Sequence, residues 1–276
     1  MAIDNNPLKQ FFRRPGLFLT LPSGGDYPDN VLIKTEAGEI PIFPMTAIDD
    51  ITIKTPDALF NGQAVADVIR SCVPNVLDPW KISSVDLDAI LIAIKAASST
   101  GDMEISTTCP SCSETELYKL NLAQLLVRIK SGDYSTEMQV DNLFVKFRPL
   151  TFKEINQISL EQFNMQKLFI EIESTQDDTL KMEKSKEALK TIANTTMSAL
   201  ALTIDHVRTP NNDIVTDKNF ILEFLRNCDK MSFDAIRDQQ GKLKEQSDMK
   251  PLGIECPHCS HKYEQQFTLN MSDFFA

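Results

Sequence analysis

Cysteine is the residue type with the clearest chemical signal in this sequence. Four of the six cysteines stand in two CPxC motifs, Cys109 and Cys112 in TTCPSCSE and Cys256 and Cys259 in IECPHCSH. Two residues between the cysteines allow a tight turn that supports both thiolates, as in a zinc knuckle. Because a structural zinc ion takes four ligands, we predict that both motifs together form one four-cysteine zinc ribbon.

The long separation of the two motifs leaves other arrangements open. Each motif could be a half-site completed by a second subunit or a relic without metal, and the same four thiolates could bind iron. His258 and His261 lie in and beside the second motif, but Ser111 and Glu114 take their places in the first. This difference favours the all-cysteine set. A redox role is less favoured, because it requires the first cysteine at the start of a helix.

The other potentially reactive residues have simpler interpretations. Cys72 and Cys228 fall on apolar faces of predicted helices, where a free thiol normally packs in the core. His206 follows Asp205 near a predicted helix end, which indicates a surface or capping role. The Gly-Gly pair of LPSGGDYP lacks the Lys-Ser/Thr ending of a P-loop, and no Ser/His/Asp or Cys/His grouping appears. We therefore predict that the protein is not an enzyme.

Composition limits the kinds of partner. The chain has 276 residues and a formal net charge of −11, so it should repel phosphate backbones and bind no nucleic acid. No run approaches 18 apolar residues and no export signal is visible, so we expect a soluble intracellular protein with no membrane span. In such a compartment, paired cysteines indicate metal ligands rather than disulfides.

Short strands are predicted on both sides of each CPxC motif. Alternating residues precede and follow the first motif at 103–106 and 118–122, and the second at 252–254 and 267–269. Further hairpins are predicted for 31–35 with 39–43 and for 138–140 with 143–147.

Three capping patterns predict helix starts. Thr46 with Asp49, and Thr151 with Glu154, form capping boxes, and SSVD at 83–86 opens another helix.

These landmarks recur in the same order in both halves of the chain. The matching segments are 40–49 with 145–154, 68–72 with 224–228, 88–90 with 234–236, and the two CPxC motifs. We predict an α+β fold of two pseudo-repeats, each a β-hairpin, helices and a CPxC zinc-knuckle hairpin, joined through the zinc ribbon. The alternative is that short α/β motifs resemble one another without duplication.

The predicted domains follow from this repeat. Residues 1–27 form an extended N-terminal segment, 28–130 the first repeat, and 131–276 the second repeat with a helical insertion at about 158–205. The N-terminal segment carries bulky apolar residues that must be buried either on their own domain or on a partner. The candidate partner-binding residues are Phe11, Phe12, Leu17, Phe18 and Leu19.

Four segments resemble one known family. RRPGLFLTLPSGGDYP, PMTAIDD, KTPDALFNGQAVADVIRSCVP and TTCPSCSE, at 13–28, 44–50, 54–74 and 107–114, look like the baseplate proteins of T-even-type tailed bacteriophages. That family includes a baseplate hub subunit and a hub assembly factor. The resemblance implies a structural or assembly role with other hub or tail proteins. The location it implies is the host cytoplasm during assembly, or the virion tail baseplate if the protein stays in the particle.

A second class of function stays open on the motifs alone. A zinc ribbon is also typical of nucleic-acid-binding or transcription-associated modules, although the acidic charge opposes that interpretation.

Overall fold

The computed structural model describes residues 6–54, 62–99, 102–175 and 177–265 and shows a mixed α+β chain. The helices are α1 (Ala47–Ile53), α2 (Gln63–Cys72), α3 (Ser84–Ser98), α4 (Leu122–Arg128), α5 (Phe152–Ser174), α6 (Asp178–Thr203), α7 (Lys218–Asn227) and α8 (Lys230–Ser247). The strands are β1 (Leu17–Thr20), β2 (Glu39–Ile42), β3 (Asp102–Thr108), β4 (Thr115–Asn121), β5 (Glu137–Val140), β6 (Leu143–Phe147), β7 (Ile204–Arg208), β8 (Ile214–Val215), β9 (Leu252–Glu255) and β10 (Lys262–Gln265). No helix in these described ranges is long and apolar enough to cross a membrane.

The chain divides into two compact units that interleave along the sequence. Unit 1 comprises Met1–Pro79, Asp86–Ile129 and Met249–Ala276, and unit 2 comprises Trp80–Val85 and Lys130–Asp248. Both CPxC motifs therefore belong to unit 1. The predicted boundaries at 27/28 and 130/131 were drawn from the sequence repeat, whereas the two units are defined by how compactly the chain folds. The predicted boundaries therefore stay a prediction.

The first predicted hairpin of unit 1 is wrong. β2 pairs with β1, with Leu19 opposite Ile40, and not with residues 31–35. The turn before β2 forms, since the Gly38 amide donates to the Thr35 carbonyl at 3.1 Å. The chain before that turn pairs elsewhere, because the Ile33 amide donates to the Asn75 carbonyl at 2.8 Å. The segment after α2 thus bonds to the chain around Ile33, where the sequence had predicted pairing with β2.

The LPSGGDYP loop is anchored by a buried carboxylate at the start of α3. Asp86 is fully buried; it accepts the Ser23 amide at 2.9 Å and the Tyr27 hydroxyl at 2.5 Å. Gly24 and Gly25 have φ values of 83° and 68°, a region that side chains disfavour. The glycines therefore allow the turn that brings Ser23 and Tyr27 to Asp86.

The predicted helix starts are confirmed. Thr46 and Asp49 form a reciprocal capping box on α1, as do Thr151 and Glu154 on α5. α3 starts at Ser84, one residue inside the predicted pattern. Four of its apolar residues are buried: Leu87, Ile90, Leu91 and Ile94.

Unit 2 is built on a four-stranded antiparallel sheet of order β5-β6-β7-β8. The predicted 138–140/143–147 hairpin is confirmed, with Val140 opposite Leu143. The sheet and helices α6 to α8 enclose a core of aliphatic and aromatic residues. Its buried members are Val140, Val145, Phe147, Leu200, Ala201, Ile204, Val207, Ile221, Leu225, Ile236 and Leu243.

The region of the predicted insertion is helical. It falls within α5 and α6, two long helices that pack against each other. The described residues of the charged stretch at 171–190 lie mostly in the end of α5 and the first half of α6. Asp177 accepts from the Thr179 and Leu180 amides and so begins α6.

Candidate metal centre

The two CPxC turns have the same local geometry. In the β3–β4 turn the Cys109 amide donates to the Glu114 carbonyl at 2.9 Å, and in the β9–β10 turn the Cys256 amide donates to the His261 carbonyl at 2.9 Å. The residue after the second cysteine has positive φ in both, 62° at Ser113 and 56° at Ser260. Each turn can therefore present two sulfur atoms on one side of its hairpin.

The hairpins bring all four sulfur atoms together. Cys109 Sγ lies 3.7 Å from Cys259 Sγ, and Cys112 Sγ lies 3.6 Å from Cys256 Sγ. All four lie within 4.8 Å of one another. A disulfide requires about 2 Å between sulfurs, whereas tetrahedral Zn–S bonds of about 2.3 Å place sulfurs about 3.8 Å apart. The spacing fits four ligands around one ion and does not fit disulfides.

The protonation of the thiols also fits a cation site. Burial opposes ionisation of Cys109, but amide donors from Cys112 and Ser111 lower the pKa of its thiol to about 6. For Cys112, the Glu114 amide lowers the pKa, while burial and the other thiols raise it to about 12. Four sulfurs this close cannot all carry negative charge by themselves. A divalent cation would stabilise all four thiolates together.

Side chains beside the cysteines connect the two hairpins. The Thr107 hydroxyl donates to Gln265 Oε1 at 2.7 Å, and His258 Nε2 lies 2.6 Å from Glu116 Oε1. The carboxylate raises the pKa of His258, chiefly through this hydrogen bond. His258 therefore pairs with an acid on the first hairpin and is not one of the clustered ligands, as the all-cysteine interpretation expected.

Sequence reasoning missed these connecting pairs. Glu116 and Thr107 lie near the first motif, and Gln265 follows the second, but no spacing rule relates partners about 150 residues apart. The weak signal was a polar residue next to each motif on an otherwise alternating strand. In the second hairpin, β10 is Lys262–Gln265, and the strand predicted at 267–269 lies outside the described part of the chain.

Neither of the two helix cysteines belongs to the four-cysteine cluster. Cys72 is fully buried at the end of α2, as predicted, and burial raises the pKa of its thiol to about 11. Cys228 is only half-buried and is the C-cap residue of α7, which ends one residue earlier at Asn227. Its predicted position on the apolar face of the helix is therefore wrong. His206 lies in β7, three residues after α6 ends at Thr203, and is placed between Asp205 at 2.8 Å and Glu137 at 3.2 Å.

The N-terminal apolar residues separate into two groups. Leu19 is 8% exposed and Leu17 is half-buried, because β1 packs in unit 1. Burial on their own unit therefore accounts for these two leucines. Phe11, Phe12 and Phe18 are 76%, 58% and 62% exposed. These three aromatic rings stay predicted partner contacts.

Fold and site together define a class: an α+β protein with a closed cluster of four cysteines that can hold one metal ion. A family model for the T4 bacteriophage base plate protein matches residues 45–276. The chain belongs to this family of phage baseplate proteins, which confirms the resemblance seen in the sequence. No curated protein and no solved structure matches the chain.

Proposed function

We propose that this protein is a structural or assembly component of the baseplate hub of a contractile-tail bacteriophage, stabilised by a four-cysteine zinc site. The observation that supports the proposal most directly is the meeting of four sulfurs from two hairpins in a baseplate family protein. The family supports a location in the tail baseplate. Assembly in the host cytoplasm and specific membership of the hub are parts of the proposal.

The ligand set favours a structural ion over a catalytic one. Catalytic zinc keeps a coordination position open for water or substrate, whereas four thiolates fill a tetrahedral ion. Cys109, Cys112, Cys256 and Cys259 would hold the ion, and it would supply cross-linking rather than chemistry on a substrate. We therefore propose a non-enzymatic role.

Metal analysis of the purified full-length chain tests the site. We expect about one zinc per chain and a colourless protein after expression in zinc-containing medium. Iron in the same four thiolates would give strong visible absorption and would replace zinc in the proposal. Absence of any bound metal under reducing conditions, or two ions per chain, would contradict a single joined site.

The exposed N-terminal aromatic rings support action through protein–protein contacts. Phe11 and Phe12 lie at the end of a short 3-10 helix, Pro7–Phe11, and Phe18 lies on β1 with its ring exposed. Aromatic anchors of this kind carry much of the energy of protein interfaces. We propose that they contact another hub or tail protein.

Crosslinking in infected cells tests the partner. A phage carrying wild-type protein should give crosslinks to other tail proteins, identified by mass spectrometry. The change of Phe11, Phe12 and Phe18 to Ser should remove most of them. The matched control replaces the exposed Val127 and Ile214 by Ser and should leave the crosslinks in place.

Two outcomes of this experiment would contradict the proposal. Crosslinks to host proteins alone would exclude a baseplate role. An equal loss of crosslinks in both variants would show that the N-terminal rings are not the contact. Mass spectrometry of purified virions then separates a subunit that stays in the particle from a factor that leaves it.

A further inference from the structure

A cleft in unit 2 carries a concentration of positive charge that the metal site does not explain. Its volume is about 600 Å³, within the roughly 300–1,000 Å³ range of small-ligand sites. It lies where the first turns of α5 and α7 approach the segment before α3. Among the described residues that line it, four carry cations and one a carboxylate: Lys81, Arg148, Lys153, Lys218 and Glu154.

This charge contrasts with that of the chain as a whole, whose formal net charge is −11. Part of it is balanced locally, because Arg148 pairs with Glu154 at 2.5 Å. Glu154 also accepts the Thr151 amide at 2.9 Å in the capping box of α5. The single carboxylate that lines the cleft is thus already used by Arg148 and by the capping box, while Lys153 and Lys218 line the same space.

Lys218 shows the effect of burial and of a neighbouring positive charge. Its ammonium donates to the backbone carbonyls of Ile204 and Asp205, which are neutral acceptors. Burial, and then the positive charge of Arg148, lower the pKa of Lys218, and the carboxylates of Asp205 and Glu154 only partly oppose this shift. An anion in the cleft would relieve both the repulsion and the desolvation.

An aromatic side chain lines the cleft beside the cationic residues. Trp80 lines the cleft, and its ring stacks on Phe152 with centroids 4.7 Å apart and an interplanar angle of 7°. It is the only tryptophan in the sequence. A ligand here would therefore meet both charge and an apolar surface, and its binding would be visible in tryptophan fluorescence.

We propose that this cleft binds a small molecule through an oxyanion group, phosphate or carboxylate, held by Lys81, Lys153 and Lys218 beside Trp80. Lysine and arginine bind both kinds of oxyanion through charge-assisted hydrogen bonds. The site is distinct from the four cysteines, which belong to unit 1. The proposal does not depend on the metal or on the baseplate role.

Fluorescence titration of the zinc-loaded, full-length protein tests the cleft. The probes are pyrophosphate and citrate, with sodium chloride at matched ionic strength as the reference. We expect a saturable change in Trp80 emission with at least one oxyanion and none with chloride. A response to pyrophosphate alone assigns phosphate chemistry, and a response to citrate alone assigns carboxylate chemistry.

Lysine variants locate the binding. Lys153→Gln changes an exposed side chain and should weaken the apparent affinity roughly tenfold, since one charge-assisted contact is lost. Lys190→Gln removes the same charge from an exposed position on α6 outside the cleft, and should change affinity less than about twofold.

The proposal is overturned by any of three results. These are no saturable response to either oxyanion up to tens of millimolar, a response equal to that of chloride, or an equal loss of affinity in Lys153→Gln and Lys190→Gln. Calorimetric titration repeats the comparison without relying on the tryptophan signal. Circular dichroism of each variant checks that the fold is retained.

Discussion

Each of the four clustered cysteines should be required for the metal, and the buried Cys72 should not. Cys256→Ser removes one sulfur ligand, so we expect zinc content to fall well below one per chain and the melting temperature to fall with it. Cys72→Ser places a hydroxyl in the core and should cost about 1–2 kcal/mol without changing zinc content. Elemental analysis and thermal melting measure both effects. Equal zinc loss in the two variants would place Cys72 in the metal site.

Arg13 connects the N-terminal segment to other residues of unit 1. Its guanidinium donates to Asp49 Oδ2 at 3.1 Å, to the Ser71 carbonyl and hydroxyl at 2.8 Å each, and to the Pro44 carbonyl at 2.6 Å. Asp49 is 7% exposed. Burial opposes its ionisation, but hydrogen bonds from Thr46 and Ser71 and the Arg13 charge lower the pKa of Asp49.

Removal of this guanidinium should therefore destabilise the protein. We expect Arg13→Gln to cost roughly 2–3 kcal/mol, because a nearly buried carboxylate loses its cation. The neighbouring Arg14 is exposed, and Arg14→Gln should be close to neutral. Urea denaturation followed by circular dichroism compares the two. Matching midpoints for the two variants would show that Arg13 is not a stabilising contact.

Among the elements, the α5–α6 hairpin depends on a few buried positions. Ile172 on α5 is 4% exposed, whereas Ile170, two residues earlier, is 67% exposed. Ile172→Ala should cost about 2–4 kcal/mol through lost burial and a cavity. Ile170→Ala should change stability by less than about 0.5 kcal/mol. A denaturation experiment in which both changes have the same effect would mean that the hairpin does not pack as described.

A cluster of charged side chains, Glu137, His206 and Arg208, connects β5 with β7 across β6 in the sheet of unit 2. Glu137 on β5 reaches Arg208 on β7 at 2.5 Å and His206 at 3.2 Å, across β6. These partners, Arg208 first, lower the pKa of Glu137 from 4.5 to about 2. A carboxyl with a lowered pKa stabilises the fold above its ordinary value, and that contribution is lost as the pH falls toward 2.

Comparison of wild type with Glu137→Gln isolates this contribution. Wild type should be the more stable at pH 6, and the difference between the two should shrink as the pH falls from about 4.5 toward 2. Thermal melting across this range measures the difference. A constant difference in melting temperature at all pH values would show that the charge of Glu137 does not stabilise the fold.

At the scale of the whole molecule, a metal ion bound by the four cysteines would close a long loop of the chain. Cys109 and Cys259 are 150 residues apart, and the chain between them forms most of unit 2 before it returns to unit 1. Closing so long a loop restricts the unfolded chain, and metal affinity then adds to folding free energy. Structural zinc in small peptides contributes about 10–16 kcal/mol, comparable with the roughly 5–15 kcal/mol stability of a domain.

A strong chelator should therefore lower the melting temperature while leaving most helical circular dichroism in place. The helices should persist because both units have buried apolar residues apart from the hairpins, such as Ile69 and Ile90 in unit 1 and Ile221 and Ile236 in unit 2. Re-addition of zinc should restore the melting temperature. Complete loss of helix on chelation would show that the metal is required for folding as a whole, and unchanged melting would show that it contributes nothing.

The order of the helices and of the CPxC hairpins agrees with the predicted repeat, but the β-hairpin predicted to open its first half does not form. α1, α2, α3 and the β3–β4 hairpin follow one another in the first half, and α5, α7, α8 and the β9–β10 hairpin in the second. The capping boxes at Thr46 and Thr151 and the positive φ at Ser113 and Ser260 fall at matching positions. Duplication stays a prediction.

Local physics in the sequence determined much of this protein. Capping boxes specify helix starts through bonds among residues three apart, and apolar periodicity specifies the buried face of α3. The two CPxC turns specify paired sulfurs in the same way. The all-cysteine ligand set was predicted from these turns and stays a proposal, whereas the family was predicted from four sequence segments and is confirmed.

Only the tertiary structure decided which distant segments meet. β2 pairs with β1 rather than with the segment beside it in sequence, because residues 31–33 bond to the chain after α2. Lys81, Lys153 and Lys218 form one cleft although nothing in their spacing relates them. Strand pairing and charge clustering depend on contacts between residues far apart in the chain, and local propensity carries no information about those contacts.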